Sequence, residues 1–179
     1  MIPVRHDIED LKKFLNELNE LTTRTDKRVY FLASSGEYNS AVLSCIYLPE
    51  KHNALQNLIG TRDIDLRDGF PIDFFDADYV VVTDPVQIHM RWQDQLTVVG
   101  LSEGVTHIQQ LSRHFKQIKE YAFSYNENST VKFKLYEKIS PYEKADIDFV
   151  ESFFVETYPN QPELFKNRFE EYKREHFKE

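Results

Sequence analysis

The chain is short of the residues that staple, cradle or span. Of its 179 residues only Cys45 is a cysteine, which excludes an internal disulfide and a thiolate metal site. Cys45 stands among Val42, Leu43, Ile46 and Tyr47 and reads as a buried thiol acting as a small hydrophobe. Glycine is scarce, with five in all, and no glycine fingerprint for a dinucleotide or a P-loop phosphate is present. No apolar run approaches the roughly 18 residues of a membrane span, and the N-terminus lacks a signal peptide's apolar core. The polypeptide as given is therefore expected to be soluble. Clustered basic residues are also missing. Lys12-Lys13 and Lys173-Arg174 are isolated pairs in a chain of net charge −8, so a nucleic-acid groove is excluded.

What is present is an aromatic core. Fourteen Phe and ten Tyr argue for a packed domain rather than a disordered chain, and the length suits one domain over 1–179. Ile8, Leu11, Phe14, Leu15, Leu18 and Leu21 recur at helical spacing, with Asp7 available as cap. Val29-Tyr30-Phe31-Leu32-Ala33 reads as a buried strand that breaks into the turn-rich loop 34–40. A short helix over 41–48 follows, capped by Asn39 or Ser40 and ended by Pro49, with a strand as the alternative. The alternation in 63–67 predicts a half-exposed strand, and Asp68-Gly69-Phe70-Pro71 a turn. Tyr79-Val80-Val81-Val82-Thr83, unbroken by charge, predicts a central strand covered on both faces.

Beyond it, 96–99 suggests a brief strand and 105–116 a helix. The segments 121–125 and 131–136 flank turn chemistry at 126–129 and predict a hairpin. Ser140-Pro141-Tyr142-Glu143 reads as a capping box with proline at the first helical position, opening a helix to 158. Asn160-Gln161-Pro162-Glu163 repeats that logic for 162–178, with Phe165, Phe169 and Tyr172 as the apolar stripe. The order predicts an α/β fold: a mixed, mostly parallel central sheet flanked by helices, with an antiparallel edge hairpin and two C-terminal helices packed on it.

In such sheets ligands sit beyond the carboxyl ends of the parallel strands. That rule selects the ends of 28–33 and 79–83, and with them Ser34, Ser35, Asn39, Asp84, Gln87 and His89. Hydroxyls and amides at 34–40 can hold an anion, although Glu37 opposes one and a helix-capping loop uses the same residues. Asp84 can accept from a sugar hydroxyl or act as a base, with Gln87 and His89 as further donors; equally, it can cap the turn that Pro85 rigidifies. Asp63, Asp65 and Asp68 crowd around Arg67, which neutralises them on a solvated face better than a third oxygen ligand completes a metal site. His107 and His114, seven apart, lack two-histidine metal spacing and read as surface residues. Trp92, Gln93 and Gln95 can line a sugar-stacking shelf, or Trp92 can serve as core. No Ser-His-Asp arrangement has local support, and no cofactor is expected.

Several of these segments together resemble the C-terminal soluble region of bacterial polytopic glycosyltransferases similar to dolichyl-phosphate-mannose protein mannosyltransferases. They are Leu32-Ala33-Ser34-Ser35, Asn39-Ser40, Asp65-Leu66-Arg67-Asp68-Gly69-Phe70-Pro71, Ala77-Asp78-Tyr79-Val80-Val81-Val82 and Asp84-Pro85-Val86-Gln87, with Pro141-Tyr142 and Tyr158-Pro159 later. The resemblance implies a piece of a longer membrane protein, on the extracytoplasmic face. The acidic catalytic residue of that family lies in a loop between membrane helices that nothing here matches. It thus implies a non-catalytic accessory domain whose partners are the transmembrane part of the same polypeptide and a sugar or polyprenyl-phosphate sugar. Ser34, Ser35, Asn39, Asp68, Asp84, Gln87 and His89 are the candidate ligand-binding residues. The rival readings are a free-standing cytoplasmic α/β enzyme or nucleotide-binding protein, and a protein-interaction module using the aromatic helices 141–158 and 162–178.

Overall fold

A computed structural model describes residues 5–24, 26–47, 57–62, 64–127 and 129–177. Helix α1 (Ile8–Thr23) turns Leu11, Phe14, Leu15 and Leu18 inward at the predicted spacing. Asp7 does not cap it: its buried carboxylate instead takes the Arg5 guanidinium and the Tyr38 hydroxyl, each at 2.6 Å. Strand β1 (Val29–Leu32) leads through a loop to α2 (Ser40–Tyr47), which Asn39 caps by accepting from the Val42 N–H at 2.8 Å. Pro49, expected to end this helix, lies outside the described residues. Cys45 is exposed, contrary to the sequence reading. Leu43 is buried, and two residues on the helix has turned by about 200°.

Strand β2 (Leu58–Gly60) was not expected, and the expected strand at 63–67 is instead a single helical turn, α3 (Asp65–Asp68). Asp63 lies outside the described residues. The alternation of 64–68 misleads because its two acids play different parts. Asp65 points inward, while Asp68 accepts from the Ile64 N–H and pairs with Arg67. Gly69, at φ +67° with an ideal Cβ 3.1 Å from the Leu164 carbonyl, closes the turn where a side chain would be strained. After a 3₁₀ turn at Ile72–Phe74 the chain enters β3 (Tyr79–Asp84), buried until its last residue.

Helix α4 (Leu96–Thr106) replaces the strand expected at 96–99, and the helix expected over 105–116 shrinks to α5 (Gln109–Ser112). Leu96, Thr97, Val98, Leu101, Ser102, Gly104 and Val105 are all buried, so α4 carries no clear polar face for periodicity to detect. The hairpin is longer than expected: β4 (Phe115–Asn126) and β5 (Ser129–Lys138). Asn128, in its turn, lies outside the described residues. Helix α6 (Lys144–Thr157) starts three residues past the expected position; the reciprocal cap is Glu143 with Asp146, whose carboxylate accepts from the Glu143 N–H at 2.7 Å. Helix α7 (Pro162–His176) begins on its proline and buries Phe165, Phe169 and Tyr172 as read.

The five strands run in the order β2-β1-β3-β5-β4. β1 is parallel to β2 and β3, whereas β5 is antiparallel to β3 and β4, so the sheet is mixed in equal parts with β3 at its centre. Successive residues of the inner strands feed opposite cores. Val29, Phe31, Tyr79, Val81 and Phe133 meet α1 and α2 on one face. Tyr30, Leu32, Val80 and Val82 meet α4, α6 and α7 on the other, through an aromatic cluster in which the Phe70 and Phe169 rings lie 4.5 Å apart. β1 therefore leaves toward one helical layer and β3 toward the other. The outlet between their carboxyl ends is a topological switch point.

Candidate functional site

Three loops meet at that outlet. The Ser34 N–H donates to the Gln87 carbonyl at 2.9 Å, and the Gln87 N–H to Thr83 Oγ1 at 3.0 Å. Gln95, fully buried, donates its amide to Ser34 Oγ at 2.7 Å and accepts from the His89 and Met90 N–H groups at 3.0 and 2.9 Å. His89 Nδ1 faces the Ser34 carbonyl, which only accepts, so that nitrogen carries the ring proton. Ser34, Gln87 and His89 are thus brought together as read from sequence. Gln95, read there as part of a shelf, is the group that joins them. Trp92 does stand exposed, at 55 %, and Gln93 offers its carbonyl to the Tyr158 hydroxyl. Ser35 and Asn39 are turned to α2: Ser35 Oγ accepts from the Tyr38 N–H and its carbonyl from the Asn39 amide at 2.7 Å.

Beside this knot, between the end of β3, β5 and the C-terminal half of α4, lies a crevice of about 160 Å³ lined by Thr83, Asp84, Ser102, Glu103, Thr106, His107 and Lys134. It exists because β5 turns Lys132 and Lys134 to the same side as Val82, where α4 ends and leaves the sheet uncovered. Lys134 Nζ donates to Asp84 Oδ2 at 2.7 Å. That hydrogen bond and charge hold the Asp84 carboxyl below its ordinary range and raise the Lys134 ammonium. An anion so stabilised is a hydrogen-bond acceptor rather than a base tuned to neutral pH. Ser102 is 2 % exposed, and its hydroxyl has no hydrogen-bond partner among the described residues. No signal in the sequence marks Ser102 or Lys134, because register and helix phase alone bring them to Asp84. Asp68 sits apart, at the end of β2, with Arg67 at 2.7 Å.

A second polar cluster ties α5 to α6. His114, only 3 % exposed and so not the surface residue expected, places Nδ1 2.8 Å from Ser140 Oγ and Nε2 2.9 Å from Asp146 Oδ2. The composition is that of a hydrolase triad, which the sequence did not group. Yet Nε2 also receives Arg113 Nε at 3.1 Å, and Asp146 is shared with Arg113 and Gln110. The imidazole is clamped between opposite charges, and Ser140 lies outside the crevice. Among the described residues no three acidic, histidine or cysteine side chains are grouped to hold a metal, and no helix is long and apolar enough to cross a membrane.

No protein-family model, curated protein or solved structure matches the chain. What the surface does is read from its own geometry. An ionised carboxylate and an ammonium stand in one small polar crevice, whose wall includes Ser102, the residue whose hydroxyl has no partner among the described residues, next to a rigid loop junction.

Proposed function

We propose that the chain is a recognition domain, without catalysis of its own, that binds a hydroxyl-rich ligand of the sugar class at the end of β3. In this reading it serves a membrane glycosyltransferase that uses a lipid-phosphosugar donor, on the extracytoplasmic face. One observation carries the binding site: Ser102, whose buried hydroxyl has no hydrogen-bond partner among the described residues, lines the same crevice as the Asp84–Lys134 pair. A buried polar group left unpaired costs stability, and a ligand hydroxyl supplies what it lacks. The segment Asp84-Pro85-Val86-Gln87, which carries the family resemblance, forms the crevice wall and the loop junction. A groove between α4 and α6, lined by Gly100, Ile108, Phe149 and Phe153, offers an apolar face to the transmembrane partner.

Two measurements test this reading. In amide NMR titrations, a hexose or hexose 1-phosphate is expected to shift Asp84, Ser102 and Lys134. Asp84→Ala is expected to abolish those shifts while moving the free protein's Tm by no more than about 2 °C, since a surface ion pair contributes little. Shifts that survive Asp84→Ala, or a full panel of sugars that moves none of the three, would refute the site. For the membrane assignment, the genomic reading frame upstream of Met1 is expected to encode several long apolar segments. A frame that opens at Met1 sinks that assignment.

A further inference from the structure

The crevice at the end of β3 carries a charge that the fold does not use. Two carboxylates, Asp84 and Glu103, and one ammonium, Lys134, stand on its walls. Lys134 is committed to Asp84 at 2.7 Å, so that pair is neutral as a unit. The neighbouring ammonium on β5, Lys132, is committed in turn to Glu120 at 2.9 Å. Glu103 has no such counterpart. Among the described residues neither a hydrogen bond nor an ion pair reaches its carboxylate, and His107, the last titratable group of the wall, does not pair with it.

The backbone adds to the same sign. Glu103 lies in the last turn of α4, and the carbonyls of that turn give the helix end a partial negative charge. An anion entering the crevice meets Glu103 and the helix end while Lys134 is already bound; a cation meets the favourable reverse. Charge is not all that the wall leaves open. Asp84 gives Oδ2 to Lys134 and keeps Oδ1 for a donor. Ser102, 2 % exposed and with no hydrogen-bond partner for its hydroxyl among the described residues, lines the same crevice. Both call for hydroxyls, which donate and accept.

We infer that the ligand of the β3 crevice is an amino sugar, a polyhydroxylated ring with one protonated amine, held through Glu103. The inference rests on the reading of this crevice as a sugar site and adds the charge that the sugar carries. The ammonium pairs with the Glu103 carboxylate, and ring hydroxyls meet Asp84 and Ser102. A neutral hexose makes the hydroxyl contacts alone and binds more weakly. A phosphate on the ring forgoes the contact with Glu103.

The test is amide NMR titration of the whole chain with glucosamine and 6-amino-6-deoxyglucose. Glucose, N-acetylglucosamine, glucose 1-phosphate and ethylamine are the comparison ligands. At least one amino sugar is expected to shift the Asp84, Ser102 and Glu103 amides. It is expected to bind about fivefold tighter than glucose at low ionic strength, the worth of one solvent-exposed ion pair. N-acetylglucosamine, which keeps the nitrogen but not its charge, is expected to bind no better than glucose. Glu103→Gln changes an exposed side chain, so the fold is not at risk. It is expected to bring the amino sugar to within about twofold of glucose and to leave glucose binding as it was, and salt at about 1 M is expected to do the same. Amino sugars that bind no tighter than glucose or N-acetylglucosamine overturn the inference and leave the sugar site standing. So does an advantage that survives Glu103→Gln, or glucose 1-phosphate binding tighter than either amino sugar. Ethylamine that matches the amino sugars, or a failure of every sugar to move these amides, overturns both readings.

Discussion

Replacing Asp65 by alanine is expected to destabilise the fold by about 3–5 kcal/mol, the largest single effect outside the aromatic core. Asp65 is fully buried and no cation pairs with it among the described residues. Its carboxylate accepts the Thr97 N–H at 3.2 Å, the Thr97 hydroxyl, and the Tyr158 hydroxyl at 2.7 Å. One side chain thus joins the α3 turn to the start of α4 and the end of α6. Alanine strands two buried donors at once, the Thr97 N–H and hydroxyl, each worth about 1–3 kcal/mol, and leaves the Tyr158 hydroxyl to the Gln93 carbonyl alone. Asparagine keeps an acceptor and lets the two hydroxyls reorient, so Asp65→Asn is expected to cost no more than half as much in urea unfolding. Equal losses for the two variants would show that shape rather than hydrogen bonding is at stake.

The pH dependence gives a second handle. Burial raises the Asp65 carboxyl above its usual range, against the hydrogen bonds from Thr97 and Tyr158. The folded state therefore holds this proton more tightly than the unfolded chain does. Ionised Asp65 is a cost at neutral pH that is relieved as pH falls through the folded pKa toward the ordinary value of about 3.9. Asp65→Asn is expected to remove that part of the stability-versus-pH curve.

The second large effect is expected at Asp146. Burial alone would raise its pKa, but the Glu143 N–H, Arg113 and the charge of His114 prevail and lower it. The sign is the reverse of that at Asp65. Stability from Asp146 is present above about pH 3.9 and is lost as pH falls through the lowered folded value. Asp146→Ala leaves the buried His114 and the Arg113 guanidinium facing each other without their shared anion. A cost of about 3–4 kcal/mol is expected, from the unpaired donors and the lost cap of α6. Ser140→Ala is expected to stay within about 1 kcal/mol. Urea unfolding of the three proteins at neutral pH checks both values. A loss at Ser140→Ala matching that at Asp146→Ala would contradict the view of His114 as a clamp anchored by its carboxylate.

Elements with a clear period were legible in the sequence. α1 and α7 bury one stripe, β3 is unbroken by charge from Tyr79 to Thr83, and the hairpin flanks its own turn. β2 was not, because three residues are too short for a pattern and its pairing with β1 is a non-local fact. α4 was misread because a helix enclosed nearly all round loses its polar face. Asp84 was legible as a site candidate, since the strand-end rule needs only the strand. Lys134 and Ser102 were not, because their approach to Asp84 depends on the β3–β5 register and the path of α4. His114 was misjudged on spacing. Its burial follows from Asp146, more than thirty residues later.

Gln95 has a consequence for how anything lands on this surface. A single enclosed amide links the loop after β1, the loop after β3 and the entry to α4. These segments cannot shift independently without leaving the Gln95 amide unmatched. A ligand arriving at the strand ends therefore meets a relief already cast in its bound shape, and little chain freedom is surrendered on docking. Association there is expected to follow a single exponential whose rate rises linearly with ligand concentration, with no slower rearrangement behind it.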